Sequence, residues 1–170
     1  MKSLKILSSA LIFFLAVGVT STFAQKSASV DATANLLNNL TVTGLNNLKF
    51  GDVTAGINDL VQKGNVEAGE QLGKFKIEGT SNASIQATII FPSTLDLSGG
   101  GDSMPFGNEK IYGYATDDVN SATYPGSNPF TDSLSGFGAY YVWVGGTVQP
   151  SNNQTAGAYS ASITLEASYN

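Results

Sequence analysis

The last fourteen residues, G-A-Y-S-A-S-I-T-L-E-A-S-Y-N from Gly157 to Asn170, restrict the fold more than any other stretch. From Tyr159 every second residue is apolar: Tyr159, Ala161, Ile163, Leu165, Ala167 and Tyr169. Ser160, Ser162, Thr164, Glu166 and Ser168 lie between them and are polar. Side chains on a strand point alternately to opposite faces, so the run predicts one strand with a buried and a wet face. A helix would scatter the same apolar residues around its circumference. The run closes at Asn170 with nothing after it, so its outer edge is expected to need cover from elsewhere.

Shorter pieces of the same kind fill the rest of the chain. Leu40-Thr41-Val42-Thr43 is rich in β-branched residues, and Leu48 to Val53 follows with a bend expected at Gly51. Ala55 to Glu70 is polar and glycine-punctuated, which predicts a loop, with a short helix over Ile57–Gln62 as the alternative. Leu72 to Ile77, Ser84 to Phe91 and Leu95-Asp96-Leu97 predict strands, with Pro92 ending the second and Gly99-Gly100-Gly101 turning the third. Met104 to Phe106 and Ile111 to Tyr114 predict two more. Thr116 to Gly136 carries turn residues and predicts a long surface loop. Ala139 to Val144 is apolar on both faces and predicts a central strand that Gly145-Gly146 turns into Thr147-Val148. About nine short β segments separated by turns point to an all-β, antiparallel sandwich or barrel.

The front of the chain carries an export address. Lys2 and Lys5 precede an unbroken apolar run from Ala10 to Val19, and Thr22-Phe23-Ala24 offers small residues where signal peptidase reads. Cleavage is expected after Ala24, and the run is too short for a comfortable membrane span. Residues 25–170 then form one domain destined for the periplasm, the cell surface or the medium. Six lysines against thirteen acids leave it at a net charge of −7, with no arginine and no cysteine. That charge argues against nucleic acid and anionic membrane as partners. Without disulfides the core must hold the fold alone. Residues 25–37 alternate again, with Ala28, Val30, Ala32, Ala34 and Leu36 on one side. Two readings stand: a first strand of the domain's own sandwich, or a donor strand for a neighbouring subunit.

The glycine fourteenth from the end, the alternation and the penultimate tyrosine resemble the C-terminal motif of chaperone–usher pilus subunits. Three further pieces are similar to a bacterial family of secreted domains of unknown function, related in layout to spore coat protein U. They are Leu48-x-Phe50-Gly51-Asp52-Val53-x-Ala55-Gly56, then Gly99-Gly100-Gly101-Asp102-Ser103-Met104. Val144-Gly145-Gly146-Thr147-Val148 with Gln154-x-Ala156-Gly157-x-Tyr159 and Ser168-Tyr169-Asn170 is the third. The resemblance implies an immunoglobulin-like, pilin-like β-sandwich lacking its last strand. In such proteins a periplasmic chaperone or the arm of another subunit supplies that strand by β-strand addition. Gly157, Tyr159, Ala161, Ile163, Leu165, Ala167, Tyr169 and Asn170 would then be the strand-pairing residues. The chain departs from the pattern in lacking a disulfide and in its short segment before Leu48, and both departures point to a self-contained domain.

Enzyme chemistry is poorly served. With no histidine, cysteine or arginine the chain has no imidazole shuttle or metal ligand, no thiolate and no guanidinium clamp. Asp117-Asp118 is the one adjacent acidic pair, expected in a solvated loop, and calcium through Asp102, Asp117 and Asp118 lacks the usual loop spacing. No enzyme activity, cofactor or metal is therefore expected. Asn39-Leu40-Thr41, Asn82-Ala83-Ser84 and Asn153-Gln154-Thr155 match the glycosylation triplet. Tyr112, Tyr114, Tyr140, Tyr141 and Trp143 would suit a carbohydrate platform, with Tyr141 expected opposite Tyr140 and Trp143. Three readings follow as expectations: a pilin-like structural or surface protein pairing through an edge strand, by self-association or with a chaperone; alternatively a secreted carbohydrate-binding module, or a monomeric self-complemented sandwich of unknown role.

Overall fold

The computed structural model describes Val30, Asp31 and residues 33–170. The expected signal peptide, Ala28 and Ala32 lie outside the described residues. The chain divides into two units, Met1–Asn35 and Leu36–Asn170. In the first, the described residues are exposed and belong to no strand.

The second unit is all-β and antiparallel, with no helix among the described residues. Its larger sheet runs, in spatial order, β1 (Thr41–Asn46), β5 (Gly73–Glu78), β10 (Ala139–Val148), β8 (Ser103–Tyr114), β7 (Thr94–Leu97) and β11 (Tyr159–Ser160). β3 (Asp59–Val61) adds to the far half of β10, beyond the point where β5 ends. The smaller sheet is β12 (Thr164–Tyr169), β6 (Ser84–Ile90) and β9 (Phe130–Ser133). β2 (Lys49–Phe50) and β4 (Glu70–Gln71) form a separate two-stranded clip.

The two sheets face each other across one core, a sandwich-like arrangement. Ile77, Tyr140, Val142, Val144 and Ile111 from the larger sheet pack against Ile85, Ala87, Ile89, Phe130 and Leu165 from the smaller. A satellite cluster of Met104, Phe106 and Val148 sits under β2 and β7. Period-two alternation explains these choices: Ile85, Ala87 and Ile89 are buried while Gln86 and Ile90 are exposed.

The tail forms two strands. β11 pairs with β7 and β12 pairs with β6, and residues 161–163 between them are unpaired. Since β6 leads into β7 through Phe91-Pro92-Ser93, the four strands make one antiparallel ribbon that bends from the smaller sheet into the larger. The proline lacks the amide a continuous ladder requires. The expected single strand over 157–170 is thus corrected to a bent one. Its inward face still alternates, with the exception that Ala161, at the bend, is exposed.

Four other expectations change. Gly145-Gly146 does not turn the chain; β10 runs straight through it. Both glycines answer to close approach: a Cβ on Gly145 would strike the Val61 carbonyl oxygen, and one on Gly146 the Phe106 ring. The two strands expected around Met104 and Ile111 are one twelve-residue strand, with Asn108 at φ 50° where the register slips. The 55–70 loop holds β3, with Val61 fully buried. The 116–136 loop holds β9, which plants Phe130 in the core, and Leu134 follows it there.

Candidate functional site

Among the described residues β12 pairs only with β6, and β11 only with β7; both stand at the ends of their sheets. The border they form is the outer edge of the bent ribbon. Directly across from it, the larger sheet ends in β1, whose six residues are all exposed. Register places Val42 opposite Ile77 and Gly44 opposite Phe75, so both point to the core side. Val42 nonetheless remains 37% exposed, although β1 and β12 are in contact.

Beside the Gly44–Asn46 end of β1 lies a cleft of about 1410 Å³. Its apolar floor comes from Phe75, Val144, Leu48, Phe106, Leu95 and Ile163. Acids gather on its rim at Asp52, Asp59, Glu67 and Glu70, with Lys49 as the one lining lysine. Burial, the Glu70 carboxylate and more weakly the Glu67 carboxylate raise the pKa of Asp59 above the ordinary carboxylate value.

Two tyrosines of the tail fix the ends of this border. The Tyr159 hydroxyl lies 2.7 Å from the Thr155 carbonyl and 3.0 Å from the Asp102 carboxylate, and accepts from Gln154 Nε2 at 2.9 Å. Asp102 also accepts from the Thr155 amide at 2.8 Å and from the Ser103 amide at 2.8 Å. Led by the Thr155 hydrogen bond, these donors hold the Asp102 carboxyl down at about 2. At the other end, the Tyr169 hydroxyl donates to the Asn38 carbonyl at 2.7 Å and accepts from the Thr80 amide at 2.8 Å. The Asn38 amide in turn donates to Thr80 Oγ1 at 2.6 Å. The last strand therefore holds the point at which the chain enters β1.

Of the proposed strand-pairing residues, Leu165 is buried, Tyr159, Ile163, Ala167 and Tyr169 are half-buried, and Gly157, Ala161 and Asn170 are exposed. Of the proposed donor residues, Val30, Ala34 and Leu36 are exposed and lie in no strand; the first-strand role passes to β1, which starts at Thr41.

Four of the five aromatic residues share the outer face of the larger sheet, and Tyr140 faces the core. Tyr141 and Trp143 share the outer face of β10 and stack at 6.1 Å, which corrects the expectation that they oppose each other; residues two apart on a strand point the same way. Trp143 is only 5% exposed, and Lys74 Nζ lies 5.7 Å from its ring and 5.4 Å from that of Tyr141. Tyr112 and Tyr114 pair with Trp143 and Tyr141 across β8. Tyr140 is in the core, where its hydroxyl donates to Asp132 at 2.6 Å; burial, then that carboxylate, push its phenol far above the ordinary value.

The aspartates of the calcium expectation are not brought together. Asp117 pairs with Lys74, Asp118 accepts from Ser121 Oγ and the Asn120 amide, and Asp102 is engaged in the Tyr159 cluster. Among the described residues no group of three acids stands ready to hold a metal.

Sequence reasoning missed Gly44 and Phe75 as walls of the cleft. The one available signal was Gly44 directly after a β-branched run, a position where a strand has no side chain to pack. No family model matches the sequence, and no curated protein matches it.

Proposed function

We propose that the chain is an exported, non-enzymatic structural protein: an immunoglobulin-like, pilin-like sandwich whose open border takes up an extended segment of another chain. The carrying observation is the outer edge of β12, unpaired among the described residues, beside a β1 whose six residues are all exposed. An added strand would satisfy the outward amides and carbonyls of β12, and its alternate side chains would fill the cleft over Phe75 and Val144. Small side chains at Ala28, Val30, Ala32 and Ala34 suit a shallow groove, and the export signal fits assembly outside the cytoplasm.

Deletion of residues 25–37 tests this reading. The truncated protein is expected to lose its polymers, or to lose its fold where the segment serves its own domain. Light scattering coupled to size exclusion reads the first and circular dichroism the second. A truncated protein that is folded and assembles as before removes the reading.

A further inference from the structure

Gly113 stands on a stretch of the β8 border beyond the reach of β7, which pairs with residues 103–105. Thr123, from the loop after β8, takes the place beside it. The Gly113 amide donates to the Thr123 carbonyl at 2.9 Å, and the Thr123 amide to the Gly113 carbonyl at 3.2 Å. An antiparallel bridge between 113 and 123 sets Tyr124 against Tyr112. Tyr112 is already the partner of Trp143 on its other side. Trp143, Tyr112 and Tyr124 therefore form one row across the outer face of the larger sheet. Trp143 is buried, whereas Tyr124, at the end of the row, is 62% exposed.

Gln62 reaches the same region from the far side of β10, where it follows β3. Lys63, the next residue, donates to the Asn120 and Ala122 carbonyls at 2.7 and 2.5 Å and so tethers the loop that carries Tyr124. Asp117 of the same loop pairs with Lys74. A cavity of about 380 Å³ is lined by Gln62, Glu109, Lys110, Ile111, Tyr112 and Tyr124. Its size falls within the range of small-molecule pockets, about 300–1,000 Å³. Among the described residues, Lys110 commits one of its three donors to Asn108 Oδ1, at 2.9 Å, and no hydrogen bond inside the chain takes up the side chains of Gln62, Glu109, Tyr112 or Tyr124.

We infer that this cavity binds one neutral pyranose unit of a glycan. A pyranose ring has an apolar face of C–H groups and a rim of hydroxyls that both donate and accept. The tyrosine rings match the face. At the rim the Gln62 amide donates and accepts, the Glu109 carboxylate accepts and the Lys110 ammonium donates. Glu109 and Lys110 offset each other in charge and the domain as a whole is negative, which disfavours an anionic sugar or a nucleic acid. A purely apolar ring would leave those polar groups buried without partners. The loop is tethered through Asp117, Asn120 and Ala122 before any ligand arrives, so binding has little left to order. The cavity shares no lining residue with the cleft beside β1, and the inference stands independently of strand addition.

Trp143 is the chain's one tryptophan and the cross-strand partner of Tyr112, so its emission reports on the cavity from beneath. The exported protein is titrated with the methyl pyranosides of glucose, galactose, mannose and N-acetylglucosamine, up to about 100 mM, above the millimolar range of weak ligands. At least one is expected to change Trp143 emission saturably and to shift the amide resonances of Gln62, Glu109, Tyr112 and Tyr124. Tyr124→Ala is expected to keep its thermal midpoint and to bind about tenfold more weakly. Glu109→Gln, which keeps the shape and removes the charge, is expected to lose about fivefold. Tyr114→Ala, on the same face but outside the cavity, is expected to bind as the parent does. Cyclohexanol, which keeps a ring and one hydroxyl, is expected not to saturate. Silence from all four glycosides overturns the inference. So does cyclohexanol binding as well as a glycoside, the mark of a merely apolar hollow. A loss from Tyr114→Ala equal to that from Tyr124→Ala also overturns it, since the sugar would then sit elsewhere on the face.

Discussion

The smaller sheet has two borders, and the protein treats them differently. On the β9 side, pairing covers β6 from Ser84 to Ala87, and then Asn128 takes over. Its Oδ1 accepts from the Ile89 amide at 2.9 Å and its Nδ2 donates to the Ile89 carbonyl at 2.7 Å. One side-chain amide stands in for the next residue of a strand. β9 itself is four residues long and bears Asp132, features that keep an edge from recruiting a partner. On the β12 side the border is six residues long, continues through the bend into β11, and among the described residues has no such plug. The difference separates an edge that has been finished from one that has been left available.

The largest effect expected from breaking this contrast is at Asn128. Asn128→Leu strands both polar groups of Ile89 and should cost about 2–3 kcal/mol, read as a lower urea midpoint. A change within about 0.5 kcal/mol, the range of Ser168→Ala on the open border, would mean the β9 side is no better sealed. Tyr169→Phe comes next. It removes the partner of Asn38 and Thr80 at a site water can reach, and should cost about 1 kcal/mol while speeding exchange of the Thr80 amide.

Two acid effects are smaller and differ in sign. The folded pKa of Asp102 is lowered to about 2, so the hold of its carboxylate on Thr155 and Tyr159 is complete above the ordinary carboxylate range and is lost as pH falls toward 2. Amide exchange at Thr155 should therefore accelerate between pH 4 and about 2, and Asp102→Asn should remove that pH dependence. Asp59 is raised instead, so its ionised form is a penalty at neutral pH that protonation relieves as pH falls. Asp59→Asn should raise the denaturation midpoint slightly at pH 7, with the gain shrinking under acid.

The sequence carried the tail's inward face correctly, since Ile163, Leu165, Ala167 and Tyr169 do point to the core. It could not carry the bend at residues 161–163, because a ribbon that changes sheets keeps its period of two and only loses pairing. Gly145-Gly146 misled for a related reason. A glycine pair marks either freedom to turn or absence of side chains where another backbone presses close, and only the position of Val61 and Phe106 distinguishes them. Phe130 was hidden among turn residues, its burial decided by pairing with Ala87 more than forty positions away. The cleft was least legible, since its walls come from residues between Gly44 and Ile163 that share no motif.

The tie from Tyr169 to Asn38 has a topological consequence. It brings the beginning and the end of the folded unit to one corner, so neither can fray without loosening the other. A short linker should be able to join them there, and the glycine triplet at residues 99–101, where an added Cβ meets nothing within 4 Å, offers a place to open new termini. Such a circular permutant would keep every strand pairing while moving the free ends from the Tyr169 corner to the β7–β8 turn.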